Sequence, residues 1–169
     1  TVVGGEALYQ ALNRVRREKP VIAVMDELAT SAGYMIAVAA DRILAHEGTI
    51  TGSIGVLFQT AEVTDLLSKL GIKFEAIKSA PLKAEPSPFS KVTPKVRAAT
   101  KLLVDDMYAM FVDMVAQGRD MKPEKVRSLA DGRVYTGRMA LKNGLIDAIG
   151  GQRQGKGWVA KEKKLKKSL

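Results

Sequence analysis

The chain has 169 residues, 46% of them hydrophobic, which is enough for one domain with a sizeable core, or for the larger part of one. It has no cysteine and a single histidine, which excludes disulfides, cysteine-ligated metals and any centre built from several imidazoles. Of the net charge of +9, residues 151–169 hold +6, through Arg153, Lys156, Lys161, Lys163, Lys164, Lys166 and Lys167 against Glu162, so the body carries only +3. The body shows no basic stripe interleaved with aromatics, and nucleic-acid binding is not expected. No apolar run approaches the roughly 18 residues of a spanning helix, and no signal peptide pattern opens at Thr1. There is no internal repeat and no low-complexity block.

Helical and strand patterns alternate along the chain. Residues 5–17 predict a helix with Ala7, Leu8, Leu12 and Val15 on one face. A strand follows over "VIAVMDE", then an apolar helix in "SAGYMIAVAAD", a short strand "RILAHE", a turn around "GTITGS" and a strand "IGVLF". A helix "TDLLSKLGI" ending at Gly71 and a strand "FEAIKSA" come next. Four prolines break the segment from Pro81 to Pro94, which is longer than a simple connector needs to be. An amphipathic helix from about Lys95 to Gln117 should turn Leu102, Leu103, Met107, Phe111, Met114 and Val115 inward, its methionines serving as core filler. A strand "RVYTG" and a helix from Gly137 that stops at Gly144 close the domain. Short β-branched strands separated by single helices predict an α/β fold with a mostly parallel sheet.

In "MDELATSAGYMIAVAAD", Ser31 stands at the seam between a buried strand and a buried helix. Such seams present nucleophiles in α/β enzymes, and they are also ordinary places for a helix cap. Capping serines are the commoner of the two. A nucleophilic serine needs a base. His46 is fifteen positions downstream on a short strand, and nothing in the local pattern aims it back, so it reads as a solvent-facing or satisfied histidine. A lysine can serve once apolar surroundings disfavour its ammonium form. Lys83 in "SAPLKAEP" and Lys78 in "EAIKSA" both meet that test in part, Lys83 with Glu85 close by, and residue chemistry alone leaves the two level. Tyr34 and Met35, just inside the helix, read as packing residues.

"DELATSAGYMIAVAADRILAHEGTITGSIGV" resembles the bacterial signal peptide peptidase A family, serine proteases with a Ser–Lys dyad on a fold of the Clp protease and crotonase type. "GGEALYQAL", "IKSAPLKAEPSPF" and "GRVYTGRMALKNGLIDAIGG" resemble further family stretches in the same order, so that the likeness covers about residues 1–151. The resemblance implies Ser31 as nucleophile and Lys83 as general base, 83 − 31 = 52 positions apart, a spacing the family shares. It also implies Ala32, where the family commonly has glycine, as a backbone N–H donor to the oxyanion, and Ser53 in "TGSIGV" as an orienting partner of Lys83, against a plain turn role. No metal or cofactor is implied.

The same resemblance implies apolar peptides such as cleaved signal peptides as substrates, and a ring or dome of like subunits. It implies a bacterial envelope location, with the catalytic domain on the extracytoplasmic side of the inner membrane. Residues 1–151 would be the C-terminal portion of the catalytic domain. The family's first strands, its Pro-Gly-Gly turn and an N-terminal membrane anchor would lie upstream of Thr1, since Gly4 and Gly5 align beyond that turn. A sheet without those strands would expose apolar edges, so the upstream part or a partner subunit is expected to cover them. A crotonase-like acyl-CoA enzyme and a non-catalytic scaffold of the same fold remain as alternatives. Residues 152–169 form a basic tail. If helical, it sets Trp158, Leu165 and Leu169 on one face; it is otherwise a frayed, solvated end. Trp158 docking on a neighbouring subunit, lysines reaching anionic lipid, and the tail as a substrate mimic are the sharper readings.

Overall fold

In the computed structural model, which describes residues 1–162, the chain divides into two compact units. The first comprises residues 1–55 together with the chain from Tyr108 onward, and the second is Val56–Met107.

The first unit begins with helix α1 (Val2–Arg16), capped by the Thr1 hydroxyl, which accepts the Gly4 N–H. Strand β1 (Ile22–Met25) follows, then β2 (Leu28–Thr30), helix α2 (Ala32–Ala37), β3 (Arg42–Ala45) and β4 (Ile50–Gly52). The second unit carries α3 (Thr64–Lys69) and the start of α4 (Pro94–Arg119). Back in the first unit come α5 (Pro123–Leu129), β5 (Val134–Thr136), α6 (Gly137–Asn143), β6 (Ala148–Ile149) and α7 (Gln152–Glu162). One sheet has the order β1-β3-β6, all parallel, and the other the order β2-β4-β5, with β2 and β4 parallel and β5 antiparallel. The α/β architecture with a mostly parallel sheet is therefore as expected.

The core of this unit gathers Tyr34, Met35, Val38, Ile43, Ile54, Phe111, Val112, Val115, Val126 and Leu145, each almost fully buried. Buried polar groups are paired within it. Thr49 donates to the carbonyls of Met25 and Asp26 and accepts from the His46 N–H, and Thr51 donates to the Ala29 carbonyl. The Arg119 guanidinium, 9% exposed, forks onto Asp147 at 2.7 and 3.1 Å and donates to the Gly144 carbonyl. Asp147 also accepts the Ile43 N–H at 2.7 Å, so one carboxylate ties the end of α4 to the start of β3.

Several sequence expectations need correction. Helix α1 does not bury Ala7, Leu8 and Val15, of which Leu8 is 53% exposed; its inward side is Val2, Gly5 and Tyr9. The reason is close approach: a Cβ on Gly5 would lie 2.9 Å from the Met35 sulfur and 3.2 Å from Ala32, so helix meets helix through a missing side chain. The strand expected at 54–58 is instead β4, earlier in the chain, within the expected turn. The strand expected at 74–80 does not form, since neither stretch has a partner ladder to satisfy an extended backbone. In α4, Phe111, Met114 and Val115 are buried as expected, but Leu102 and Leu103 are exposed, because the unit to which they belong supplies no layer to cover them. Residues 152–162 are a helix, not a frayed end. Gly155 faces Ile22 and Val24 of β1, and Trp158 lies under the Arg42 guanidinium at 5.8 Å. The tail positions Leu165 and Leu169, with Lys163, Lys164, Lys166 and Lys167, lie outside the described residues.

Burial pushes the Asp147 carboxyl upward, but its bonds from Arg119 and Ile43 outweigh this and hold it below the usual carboxylate range. A folded value below the unfolded one stabilises the protein at neutral pH and loses that contribution as pH falls through the folded value. Asp147→Asn should therefore lower the unfolding free energy by about 2–3 kcal/mol at pH 7, less than a fully buried pair because Asp147 is partly exposed. Urea titrations at falling pH should show the gap between wild type and variant narrowing.

Candidate active site

The seam singled out in the sequence has an unusual backbone. Strand β2 pairs with β4 in parallel, and the ladder continues one residue further, with the Ser31 N–H donating to the Gly52 carbonyl at 2.8 Å. Ser31 then turns to φ 51°, ψ −118°, and α2 starts at Ala32, with the Met35 N–H donating to the Ser31 carbonyl at 2.9 Å. A residue with a Cβ in this region stores on the order of 1–3 kcal/mol of strain, so the surroundings must impose it. They do so from both sides: the β2–β4 ladder holds the entry, and the buried Tyr34 and Met35 hold the exit. Tyr34 and Met35 are packing residues, as expected. The Tyr34 hydroxyl donates to the Leu145 carbonyl at 2.7 Å, and burial pushes its pKa far up, so it stays a neutral donor.

Ser31 makes no side-chain cap hydrogen bond. The commoner of the two readings of this serine thus lacks its defining interaction, while the strained strand-to-helix turn is the geometry that exposes a nucleophilic hydroxyl. The N–H groups of Ala32 and Gly33, in the first turn of α2, have no intrahelical acceptor. An anion beside Ser31 would find them there.

Ser53 belongs to the same unit. It follows Gly52, whose carbonyl receives the Ser31 N–H, and both are left-handed, Gly52 at φ 81° and Ser53 at φ 50°. Glycine is required at 52, since a Cβ there would sit 2.6 Å from the Tyr135 ring. The Ser53 N–H donates to the Arg133 carbonyl at 2.8 Å. Backbone bonds alone thus bring Ser31 and Ser53 together at the end of β4. His46, by contrast, faces solvent with its side chain 56% exposed, 3.5 Å from Asp26, and no hydrogen bond joins it to Ser31 among the described residues.

The two candidate lysines lie in the second unit. Lys78 is half-buried, and its ammonium donates to Glu85 at 2.5 Å. That bond is the largest cause holding the Glu85 carboxyl below its usual range. Lys83 stands in a turn, its N–H donating to the Ala80 carbonyl at 3.0 Å. It is exposed, with no ion-pair partner among the described residues. What distinguishes the two lysines in the structure is this Lys78–Glu85 pairing, which sequence reasoning missed. Its one sequence signal was the acid lying seven positions after Lys78, which looked only like a blemish beside Lys83. An open groove of about 480 Å³ in the same unit is lined by Leu67, Ile72, Lys73, Phe74 and Phe89, among others.

Residues 13–166 match the model of peptidase family S49. A relative from Synechocystis, slr0021, is 38% identical over 160 residues, 95% of this chain and 58% of its own length. The chloroplastic serine protease SPPA of Arabidopsis thaliana is 36% identical over 157 residues, covering 88% of this chain and 23% of that protein. Protease 4 of Salmonella typhi is 36% identical over 132 residues, 78% of this chain and 21% of that protein. Among solved structures, an enoyl-CoA hydratase/isomerase family protein from Hyphomonas neptunium superposes with a TM-score of 0.51 at 19% identity, over 92% of this chain and 42% of that one. That likeness shows the fold, of the crotonase and Clp protease type. The chain spans 58% of the Synechocystis relative and less than a quarter of the other two proteins, yet the family match runs along nearly all of it. By that match, the chain belongs to peptidase family S49.

Proposed function

We propose that this chain carries the catalytic machinery of a serine endopeptidase acting on apolar peptides, cleaved signal peptides among them. Ser31 is the nucleophile and Lys83 the general base. The observation that carries this reading is the strained backbone of Ser31, with its hydroxyl uncommitted to a cap, in a chain of peptidase family S49.

The chemistry follows from these groups. Uncharged Lys83 takes the Ser31 proton as Oγ adds to the scissile carbonyl. The Ala32 N–H stabilises the oxyanion that forms. The lysine then returns the proton to the leaving amine, releasing it and leaving an acyl-serine. Water, deprotonated by the same lysine, cleaves that ester and regenerates Ser31. Ser53 is proposed to orient Lys83 by hydrogen bond. An apolar peptide lying over the exposed lysine would strip water from it and favour the uncharged form. Exposed Leu82, next to Lys83, and exposed Phe89, later in the same segment, suit such a peptide.

The reading extends to a ring or dome of like subunits, which would bury Leu57, Phe58, Ile72, Phe74 and Ile77, all more than half exposed in the single chain. It also extends to an envelope location, with membrane attachment through a segment upstream of Thr1. Among the described residues, no helix is long and apolar enough to cross a membrane.

Cleavage of a fluorogenic apolar peptide by the full-length protein tests the dyad. Ser31→Ala and Lys83→Ala should each lower kcat by roughly three orders of magnitude or more, because nucleophile and base act as a unit. His46→Ala should keep most of the activity; a dead His46 variant beside an active Lys83→Ala would overturn the choice of base.

A lysine base works only uncharged, so kcat/KM should fall as pH is lowered, and Lys83→Arg should be inactive, since guanidinium keeps its proton. A profile flat from acid to alkaline pH would speak against a lysine.

Strain at Ser31 predicts a trade between stability and activity. Ser31→Gly should be inactive yet more stable by about 1 kcal/mol in urea unfolding, because glycine adopts positive φ freely.

A further inference from the structure

The segment from Lys78 to Ser90 is organised around one carboxylate. Glu85 Oε1 accepts from Lys78 Nζ at 2.5 Å, Oε2 accepts the Ser87 N–H at 3.1 Å, and the Ser90 hydroxyl lies 3.0 Å from both oxygens. The Glu85 side chain is 9% exposed and that of Lys78 22%. Between these two anchored positions the backbone is closed by two short turns. The Lys83 N–H donates to the Ala80 carbonyl at 3.0 Å and the Glu85 N–H to the Leu82 carbonyl at 3.3 Å, with Ala84 at φ 60°. Lys83 rides on the crown of this knot, exposed.

Resting on the reading of Lys83 as the base, we propose that Glu85, paired with Lys78, is a positioning residue for Lys83. It clamps both ends of the turn that presents the lysine, and its carboxylate is fully engaged elsewhere. Both parts are needed. Without that clamp a segment outside regular helix and strand would let the Lys83 amine wander, and displacement of about 1 Å at a reacting group can lower a rate on the order of 100-fold. An unengaged carboxylate two residues from Lys83 would also be free to pair with it and hold it as ammonium, the form that cannot accept a proton. With Lys78 in place, the Glu85 oxygens are taken up by Lys78, Ser87 and Ser90. Lys78, the rival candidate for the base, thereby has a role of its own, occupying the acid so that its neighbour is free.

The test uses the full-length protein, a fluorogenic apolar peptide, and thermal melting to set the folded fraction of each variant. Glu85→Ala should lower kcat per folded molecule about 10- to 100-fold with KM within about threefold of wild type, since the turn is loosened and substrate contacts are not. Glu85→Gln keeps acceptor and donor atoms at the centre of the knot and should recover most of that loss. Lys78→Met, which frees the carboxylate, should lower kcat, and adding Glu85→Gln to it should restore much of the rate. Should Glu85→Ala fail to fold, Lys78→Met and its combination with Glu85→Gln decide the matter. Wild-type kcat in Glu85→Ala or Lys78→Met, a change confined to KM, or a loss that only tracks the folded fraction would overturn the positioning role. Turnover that survives Lys83→Ala would instead overturn the assignment of the base, a separate result read in the same assay.

Discussion

The backbone of Ser31 is the constraint on which the rest of the site depends. A non-glycine residue at φ 51°, ψ −118° relaxes unless its neighbours forbid it. The Ser31 N–H is committed to the Gly52 carbonyl, so the entry cannot rotate without breaking the β2–β4 ladder. The exit cannot rotate without drawing Tyr34 and Met35 out of the core. Tyr34 is further bonded to the Leu145 carbonyl, and beyond Leu145 the Arg119–Asp147 pair fixes the same loop to β3 and α4. Strain at one residue is thus borne by elements from four parts of the chain.

The same constraint explains the glycines near the seam. Gly5 lets α1 touch the start of α2, and Gly52 lets β4 pass Tyr135 while its carbonyl stays aligned with Ser31. Neither glycine supplies flexibility in the folded state. Each removes a Cβ that would push the seam open.

The second unit works by electrostatics more than by packing. Among the described residues, Val96 is its one almost fully buried large hydrophobic, and many of its apolar side chains are exposed, Ile77 almost entirely. Its order comes from the local bonds of the Glu85 knot and from two longer-range contacts, the Val63 N–H to the Pro88 carbonyl at 2.9 Å and the Phe74–Phe89 ring pair at 4.5 Å. Local bonds of this kind can hold a lysine in a turn without surrounding it by a core.

Periodicity and punctuation were sufficient for β1, β3, the buried half of α4 and the stop of α6 at Gly144, because each depends on its own residues and on burial against a generic apolar layer, and for α3, whose ends its own residues mark. The same cues failed at 54–58 and 74–80, where β-branched and aromatic residues read as strands but no neighbour offers a ladder, and at Leu102 and Leu103, which lack a covering layer. The amino-acid sequence by itself determined the fold class, the seam at Ser31 and the family, since motif order survives without coordinates. Whether Ser31 caps its helix, and which of the two lysines has an ion-pair partner among the described residues, only the tertiary structure decided. Both turn on partners remote in the chain or on the direction of a single side chain: the Gly52 carbonyl that pins Ser31, and the Glu85 carboxylate that pairs with Lys78 and not with Lys83.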